Sequence, residues 1–332
     1  MIATSRHISA APAIDKLDAI PLQCPRCRGR IGHLPRTSVS DTVLVCSDCC
    51  LKLANEDGVW KSLLPERAAH FSQFIKEYEF IRSAEGRGSV EAEYYLALPH
   101  QDLSGHNSQQ WTMRSKTFRY LQRNIIPAIH AGSKRPLRIL DLGAGNGWMS
   151  YRLSQLGHMP VAVDLITNRQ DGLGAATHYR KQLPILFACF QAELDLLPFA
   201  DDAFDLVIYN ASFHYSENYE KTLAEALRCT CAGGSVLIAD TPWYSNESSG
   251  QQMVAERHEA FTQRYGFPSD GLNSLEFLTD QRLQRMEASF GIHWHKHTPN
   301  YGIRWLMRPF LAKMKGAREP SQFKIYTAKA RK

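Results

Sequence analysis

Short apolar runs and amphipathic segments alternate over residues 135–332 of the chain. Helical periodicity lies between the runs: Met149, Leu153 and Leu156 form one stripe, and a second helix is predicted over 218–231. Strands that alternate with helices predict an α/β fold with a parallel, doubly wound sheet. The runs are suited to strands buried on both faces of that sheet, and they cover residues 137–142, 160–165, 185–190, 204–209 and 234–240.

The segment before this domain is predicted to be helical. Apolar residues recur at spacings of three and four over 66–82, and a second helix is predicted over 110–126, where Pro127 ends it. Residues 66–134 are therefore interpreted as a helical lid or linker.

The two ends of the chain differ from these regions. Residues 1–20 carry small side chains and predict a flexible leader, and residues 21–65 hold clustered cysteines. Within the 135–332 domain, residues 242–290 predict a helical insertion and residues 291–332 a final pair of antiparallel strands.

Length and composition are those of a globular protein with one large domain or two modest ones. The 332 residues are 44% hydrophobic and 22% charged, which excludes a mostly disordered or fibrous chain. The N-terminus lacks the apolar core of a signal peptide, and no apolar run approaches the ~20 residues of a membrane span. We therefore expect no membrane partner and a cytoplasmic location, where cysteines stay reduced.

Four cysteines form two C-x-x-C pairs separated by 18 residues: Cys24, Cys27, Cys46 and Cys49. This spacing is typical of a zinc ribbon, in which four thiolates close a tetrahedral shell. A closed shell leaves no position for a substrate, so a structural Zn²⁺ is predicted. The adjacent Cys50 is interpreted as spare.

A glycine-rich loop follows the first predicted strand of the domain and begins at Asp141. Gly143, Gly145 and Gly147 allow a sharp turn and a close approach of the backbone to a ligand. The spacing departs from the G-x-G-x-x-G of dinucleotide sites because Trp148 occupies the place of the small residue. No Gly-Lys-Ser/Thr follows, which excludes a P-loop here.

The sequence over residues 136–241 resembles the class I S-adenosylmethionine-dependent methyltransferases. DLGAGNG is similar to their first motif and VAVDL to their second, while ELDLLPFADDAFDLVIYNASFHY and AGGSVLIAD are similar to their later strands. The resemblance implies a Rossmann-like, doubly wound, mostly parallel seven-stranded sheet, with S-adenosyl-L-methionine as cofactor. The small zinc ribbon and the helical lid would be additions to it.

The resemblance also implies roles for single residues in binding the cofactor. The three glycines and Asn146 would pass beside the methionine moiety, with Asp141 near its amino group. Asp164 would hold the ribose hydroxyls, and Leu194 would offer its backbone N–H to the adenine. Glu193 stands where the family usually has an Asp for the adenine amino group, with Asp195 as the alternative. These candidate residues are Asp141, Gly143, Gly145, Asn146, Gly147, Asp164, Glu193 and Leu194.

Candidate catalytic residues follow the fourth strand of the sheet. Asn210 would face the sulfonium and the substrate, and the absence of [DN]-P-P-[YFW] argues against the N-methyltransferase subclass that carries it. His214 is the candidate base, with Tyr215 beside it, although a histidine without chemical role fits the sequence equally well.

The lid supplies three further candidates for the cofactor pocket. Tyr95 and Trp111 could hold a sulfonium by cation–π attraction, and Arg114 could pair with the methionine carboxylate. Packing within the helices explains any one of the aromatic residues as well.

Several functions are compatible with these features. A small-molecule methyltransferase is the leading hypothesis. An alternative is a ribosomal RNA base methyltransferase that uses the ribbon and a basic tail, since the order of segments and VWKSLLPER resemble such bacterial enzymes. The others are a cofactor-consuming cyclase or lyase and a cofactor-binding protein without catalysis. The sequence does not indicate an oligomeric state.

The positive charge of the chain is confined to its C-terminal end. Net charge is +6, from 39 Lys and Arg against 33 Asp and Glu. Residues 301–332 contain nine basic residues and one acidic residue, so the other 300 carry 30 basic and 32 acidic groups. One local surface, rather than the whole protein, is therefore the candidate for RNA or an anionic small substrate.

Overall fold

A ten-stranded sheet runs through the computed structural model, which describes residues 20–35, 41–131 and 135–330. The predicted leader lies outside the described residues except for Ile20. Within these ranges no helix has the length and apolar content needed to cross a bilayer. The strands are β1 Pro21–Gln23, β2 Arg30–His33, β3 Val43–Val45, β4 Lys52–Glu56, β5 Val59–Lys61, β6 Arg138–Leu142, β7 Met159–Asp164, β8 Ala188–Gln191, β9 Phe204–Asn210, β10 Thr230–Ala239, β11 His295–His297 and β12 Ile325–Lys329.

Seven of these strands form the predicted doubly wound sheet, in the order β8-β7-β6-β9-β10-β12-β11. Strands β6 to β10 are parallel to their neighbours, and β12 is antiparallel to both β10 and β11. The predicted α/β fold with a mostly parallel seven-stranded sheet is therefore confirmed. Each parallel strand is almost wholly buried, as expected when helices cover both faces.

Helices cover both faces of the sheet and separate its buried side chains into two core clusters. The helix α5 follows the glycine-rich loop, and α6 connects β9 to β10. The helices are α1 Pro65–Ala84, α2 Ala92–Ala97, α3 Ser108–Tyr120, α4 Ile126–His130, α5 Trp148–Gln155, α6 Tyr219–Cys229, α7 Glu247–Tyr265, α8 Asp280–Phe290, α9 Ile303–Leu306 and α10 Arg308–Met314.

The cysteine-rich segment extends the main sheet. Its strands β3, β4 and β5 are antiparallel to one another, and β5 pairs in parallel with β8, with Trp60 opposite Phe190. These two rings are stacked, with centroids 6.1 Å apart, and both are fully buried. An ion pair of 2.9 Å between Arg28 and Glu225 fixes the other side of the segment to α6. The ribbon and the α/β domain thus share backbone pairing, core and charge contacts.

The helical segment packs on one face of the sheet. Trp111 and Phe118 of α3 lie in the core beside Trp148, at centroid distances of 5.9 and 5.8 Å. The predicted stop at Pro127 is wrong, because a π-helical turn over Leu121–Ile125 leads into α4. Proline is tolerated there since the first turn of a helix does not use its N–H.

Two short helices, α9 and α10, lie between the last two strands, and the sequence analysis did not predict them. The strands themselves pair antiparallel, with His295 opposite Thr327. The helices α7 and α8 fall within 242–290, the segment expected to be helical.

Candidate active site

An inner cavity lies at the carboxyl ends of β6, β7 and β9, beneath α1 and α3. The chain turns in opposite directions from β6 to reach β7 and β9, and ligands bind open α/β sheets at such a switch point. Counted out to its opening, the space measures about 820 Å³. Its wall includes Phe74, Tyr78, Arg82, Trp111, Arg114, Asp141, Gly143, Gly145, Asn146, Asp164, Leu194, Asn210 and Tyr215.

The glycine-rich loop forms the floor of the inner cavity. Gly143 has φ of +71°, and a Cβ atom there would collide with the side chain of Ser212. The loop is fixed by backbone bonds, including one of 2.8 Å from the N–H of Gly143 to the carbonyl of Val163. Asn146 is buried and accepts a bond from the N–H of Trp148, so its side-chain oxygen helps to start α5. The floor therefore presents bare backbone to whatever fills the cavity.

Two carboxylates face the inner cavity, of which Asp141 is buried and Asp164 is half-buried. Asp141 is 1% exposed and accepts a bond of 2.8 Å from the Ser150 hydroxyl. Burial raises the pKa of Asp141 to about 7, the Ser150 bond opposes the rise, and the charge of Asp164 adds to it. Burial also raises the pKa of Asp164, which accepts N–H bonds from Ile166 and Gly145 at 2.8 and 2.7 Å. Both groups bear a cost of desolvation that a hydrogen-bonding or cationic ligand would reduce.

Two buried polar atoms on the wall of the inner cavity have no hydrogen-bond partner. They are Oδ1 of Asn210, at the end of β9, and Nε1 of Trp111, on α3. Buried polar groups normally have partners, so these two atoms mark the cavity as a place for a polar ligand. The guanidinium of Arg114 lies 4.8 Å from the Trp111 ring and makes no hydrogen bond or ion pair with any described residue.

The structure does not bring three of the predicted cofactor residues to the cavity wall, namely Gly147, Glu193 and Tyr95. Glu193 is turned to α1, where Arg67 holds its carboxylate through bonds of 2.7 to 3.0 Å. Tyr95 is fully buried in the core, stacked on His178, and its hydroxyl bonds to the carbonyls of Ser89 and Gln170. Tyr95 is thus a packing residue, the alternative that the sequence also allowed.

An outer chamber adjoins the inner cavity and opens between α1, α3, α7 and the α9–α10 pair. It encloses about 1660 Å³ with its opening. The two spaces are adjacent, since six residues contribute to the walls of both. The shared residues are Phe74, Tyr78, Arg82, Arg114, Ala211 and Tyr215.

The outer chamber has an excess of arginine side chains. Arg114 and Arg308 form no ion pair with a carboxylate of the described residues, although Arg114 interacts at longer range with the Asp240 carboxylate on the same wall. Arg308 lies 4.1 Å from the centre of the Trp305 ring and donates a bond of 3.4 Å to the carbonyl of Ser321. Asp240, at the end of β10, accepts a bond from Thr117, and burial raises its pKa. The remaining three arginines are paired, Arg82 with Asp171, Arg87 with Glu85 and Arg257 with Glu276.

His214 lies on the wall of the outer chamber, with Tyr215 at a ring distance of 4.3 Å. Its Nδ1 is buried and has no hydrogen-bond partner. Burial lowers the pKa of His214 to about 3, helped by the charges of Arg257 and Arg114. The imidazole is therefore neutral at physiological pH, and it is a weak base.

Sequence reasoning missed several residues of the two spaces. Phe74 and Tyr78 followed a helical stripe typical of core packing, yet both line the inner cavity. Arg82 pairs with Asp171, which is 89 residues away along the chain. Asp240 follows a strand, and it is not part of a motif that would indicate a functional site. Only the spacing of Phe74 and Tyr78 offered a local signal, since the other contacts join distant segments.

The four predicted metal ligands are brought together. Their sulfur atoms all lie within 4.8 Å of one another, with Cys24–Cys49 and Cys27–Cys46 at 3.5 Å. Zn–S bonds of about 2.3 Å place the sulfurs of a tetrahedral site about 3.8 Å apart, so the cluster fits one ion. Backbone N–H groups of Cys49 and Asp48 lower the pKa of the Cys46 thiol to about 7, whereas burial raises the pKa of the Cys24 thiol.

The comparisons with known proteins agree with this site. A family model described as a methyltransferase domain matches residues 140–238. A malonyl-[acyl-carrier protein] O-methyltransferase of Buchnera aphidicola is 30% identical over 31% of this chain and 39% of its own length. The corresponding enzyme of Halorhodospira halophila is 24% identical over 48% of this chain and 68% of its own. The chain thus spans about two fifths of the first relative.

Solved structures with similar backbones have low sequence identity. The YcgJ protein of Bacillus subtilis is 15% identical, with a TM-score of 0.43 over 62% of this chain and 97% of that one. The [4+2]-cyclase SpnF is 16% identical, with a TM-score of 0.45 over 68% and 82%. The motifs, the strand order and the matched segment together support a class I S-adenosylmethionine-dependent methyltransferase domain over residues 140–238.

Proposed function

We propose that this protein transfers a methyl group from S-adenosylmethionine, bound in the inner cavity, to a small anionic molecule held in the outer chamber. The observation that carries the proposal is the common wall of the two spaces, which has the glycine-rich loop on one side and arginines without carboxylate partners on the other. An in-line displacement needs this arrangement, because donor and acceptor must meet end to end with water excluded.

The side chains of the inner cavity suit the cofactor in their chemistry. Asp141 would accept from its amino group and Asp164 from its ribose hydroxyls, and both contacts would relieve buried charge. Asn210 and Trp111 have free polar atoms toward the cavity, and Leu194 lies on its wall. When bound, the cofactor supplies a methyl group on a positively charged sulfur.

The acceptor atom that these residues favour is a carboxylate oxygen. The curated relatives are named for O-methylation of a malonyl group, which carries a free carboxylate. Arg114 and Arg308 offer two cations for such a group. As the new C–O bond forms, the C–S bond breaks and its electron pair stays on sulfur, so no proton has to move. A carboxylate acceptor therefore needs no base, in agreement with the low pKa of His214.

We further propose that the cysteine cluster holds a structural Zn²⁺. All four ligands are thiols, and the ion would join the turn between β1 and β2 to the turn between β3 and β4. No open position is left for chemistry, so the ion would act on stability alone.

The proposed function is tested by mass spectrometry of the products. The purified protein is incubated with S-adenosylmethionine alone, with mono- and dicarboxylic acids and their half-thioesters, and with ribosomal RNA. We expect S-adenosylhomocysteine and a methyl ester to form together. Arg114→Gln should lower kcat/KM at least tenfold through the loss of a charge-assisted contact, whereas Arg119→Gln, on the exposed side of the same helix, should not.

Three outcomes would contradict the proposal. Methylation of RNA without any methyl ester would assign the RNA alternative. Release of methylthioadenosine without an acceptor would assign non-methyl chemistry. If the protein binds the cofactor but methylates none of the acids, it is a cofactor-binding protein without catalysis.

A further inference from the structure

The α9–α10 pair carries a large apolar surface on its outer face. Six of its side chains are large, apolar and exposed, among them Ile303 at 75%, Met314 at 71% and Leu306 at 65%. The two helices join through Met307, which has helical backbone angles. At about 100° per residue, the six positions fall within an arc of roughly 140°. The complete set is Ile303, Leu306, Met307, Phe310, Leu311 and Met314.

The inner face of the pair is the one that packs on the protein. Trp305 stacks on Phe323 with centroids 5.3 Å apart, and Arg308 lies over Trp305. The helix pair thus has apolar side chains on its outer face as well, whereas a surface helix normally turns its apolar side to the core. Scattered apolar side chains on a surface need no explanation, but a contiguous stripe of this size does.

Cations border the apolar stripe on both sides. Lys313 lies at one edge, Arg304 and Lys315 lie at the other, and all three are exposed. Residues 301–318 contain no Asp or Glu. An apolar arc with cations along its borders is the pattern of a helix that lies in the headgroup region of an anionic bilayer.

We propose that the outer face of the α9–α10 pair docks the protein on an anionic lipid surface. The large aliphatic and aromatic side chains enter the acyl boundary, while Arg304, Lys313 and Lys315 contact the headgroups. A second copy of this chain fits less well, because a two-fold contact through the stripe would bring these cations against their own copies. RNA would use the cations but leave the apolar side chains in water.

Docking would have a consequence for the outer chamber. Trp305 and Arg308, on the inner side of the same helices, form part of its wall. The chamber would then lie beside the lipid surface, where an amphiphilic anion could enter it directly. This step goes beyond the proposed function, since docking can be measured without an acceptor or the cofactor.

Co-sedimentation with vesicles tests the docking surface. The full-length protein is mixed with phosphatidylcholine vesicles, with or without phosphatidylglycerol, at low and high salt. We expect binding to the anionic vesicles that weakens with salt. The double variant Leu306→Gln/Phe310→Gln should bind at least about tenfold more weakly, because two large apolar side chains no longer enter the membrane.

A matched control and a charge variant complete the experiment. Ile185→Gln removes a side chain that is equally exposed, 65%, but lies before β8, and it should bind like the parent protein. Lys313→Gln/Lys315→Gln should bind anionic vesicles more weakly and lose much of the salt dependence.

Four results would overturn the docking proposal. In the first two, the full-length protein stays in the supernatant with anionic vesicles at low salt, or the Leu306→Gln/Phe310→Gln variant binds like the parent. In the third, the protein forms a concentration-dependent dimer that this variant abolishes. In the fourth, the protein is retained on RNA and only the lysine variant loses that retention. Circular dichroism of each variant shows that the fold is intact. Failure of methyl transfer leaves this result unaffected, which separates it from the proposed function.

Discussion

Asp141 and Asp164 are two acids in one cavity, and burial raises the pKa of both. Their placement is costly for the protein without ligand, because charged forms are disfavoured away from water. A group whose folded pKa is raised contributes stability below its ordinary pKa, and this contribution is lost as the pH rises through the folded value. Asp141 therefore lowers the stability of the free protein progressively as the pH rises from its ordinary pKa of 3.8 to about 7, and the full penalty applies above that pH.

The affinity for the cofactor should rise with pH, whereas the stability of the free protein falls. Between about pH 5.5 and pH 7 the amino group of the cofactor stays protonated while Asp141 becomes a carboxylate. We expect the affinity for S-adenosylmethionine to rise roughly tenfold over this range in isothermal titration calorimetry. Asp141→Asn should bind weakly with little pH dependence. If the affinity of this variant rises with pH as steeply as that of the parent protein, a group other than Asp141 is responsible for the pH dependence.

Gly143 is the second residue on which the cavity depends. Gly143→Ala should abolish detectable cofactor binding, because the new Cβ meets Ser212 and the backbone φ of +71° disfavours a side chain. Gly157→Ala is the matched control, since its φ is +82° but nothing lies within 4 Å of the new atom. That control should lose only about 1 kcal/mol of stability and keep its affinity. Equal affinity loss in the two variants would indicate general strain rather than a blocked cavity.

At the scale of elements, the two C-x-x-C turns are alike. In each turn the N–H of the residue after the second cysteine donates to the carbonyl of the first, from Arg28 to Cys24 and from Cys50 to Cys46. Arg28 and Cys50 both have positive φ, at +62° and +59°. Such turns aim backbone N–H groups at the sulfurs and prepare the thiolates for a metal.

Loss of one thiolate should release the proposed ion. Cys46→Ser is expected to lose bound zinc by atomic absorption and to lower the melting temperature by several degrees, since metal affinity contributes to folding. Cys50→Ser, which removes an exposed thiol beside the cluster, should change neither quantity. A full zinc content in Cys46→Ser would exclude the four-cysteine site.

On the scale of the whole molecule, the ribbon and the α/β domain are mechanically continuous. The pairing of β5 with β8, the Trp60–Phe190 stack and the Arg28–Glu225 ion pair join them. The Arg67–Glu193 pair adds a link from α1 to the loop after β8. Unfolding of the ribbon would therefore also remove the pairing of β5 with β8 and expose the edge of the central sheet.

One cooperative unfolding transition is expected for this reason. Differential scanning calorimetry should give equal calorimetric and van't Hoff enthalpies, and chelation of zinc should shift the whole transition to lower temperature. A separate low-temperature transition that alone responds to the chelator would show that the ribbon folds independently.

Local patterns in the sequence determined the strands, the glycine-rich loop and the cysteine ligands. Buried parallel strands need apolar runs, a tight strand–helix turn needs glycine, and a thiolate site needs fixed spacings. Each of these requirements produces a recognisable pattern within a few residues. The α/β fold and the floor of the inner cavity were predicted from these local patterns.

The tertiary structure alone decided which polar groups met. Arg67 lies 126 residues from Glu193 and turns it away from the cavity, although the motif favoured Glu193 as a ligand. Tyr95 entered the core, and Arg114 and Arg308 line a chamber without forming an ion pair with a described carboxylate, although no sequence motif indicated that chamber. These outcomes depend on which distant segments pack together and on what each charged group finds there, and a single sequence holds no local signal for either.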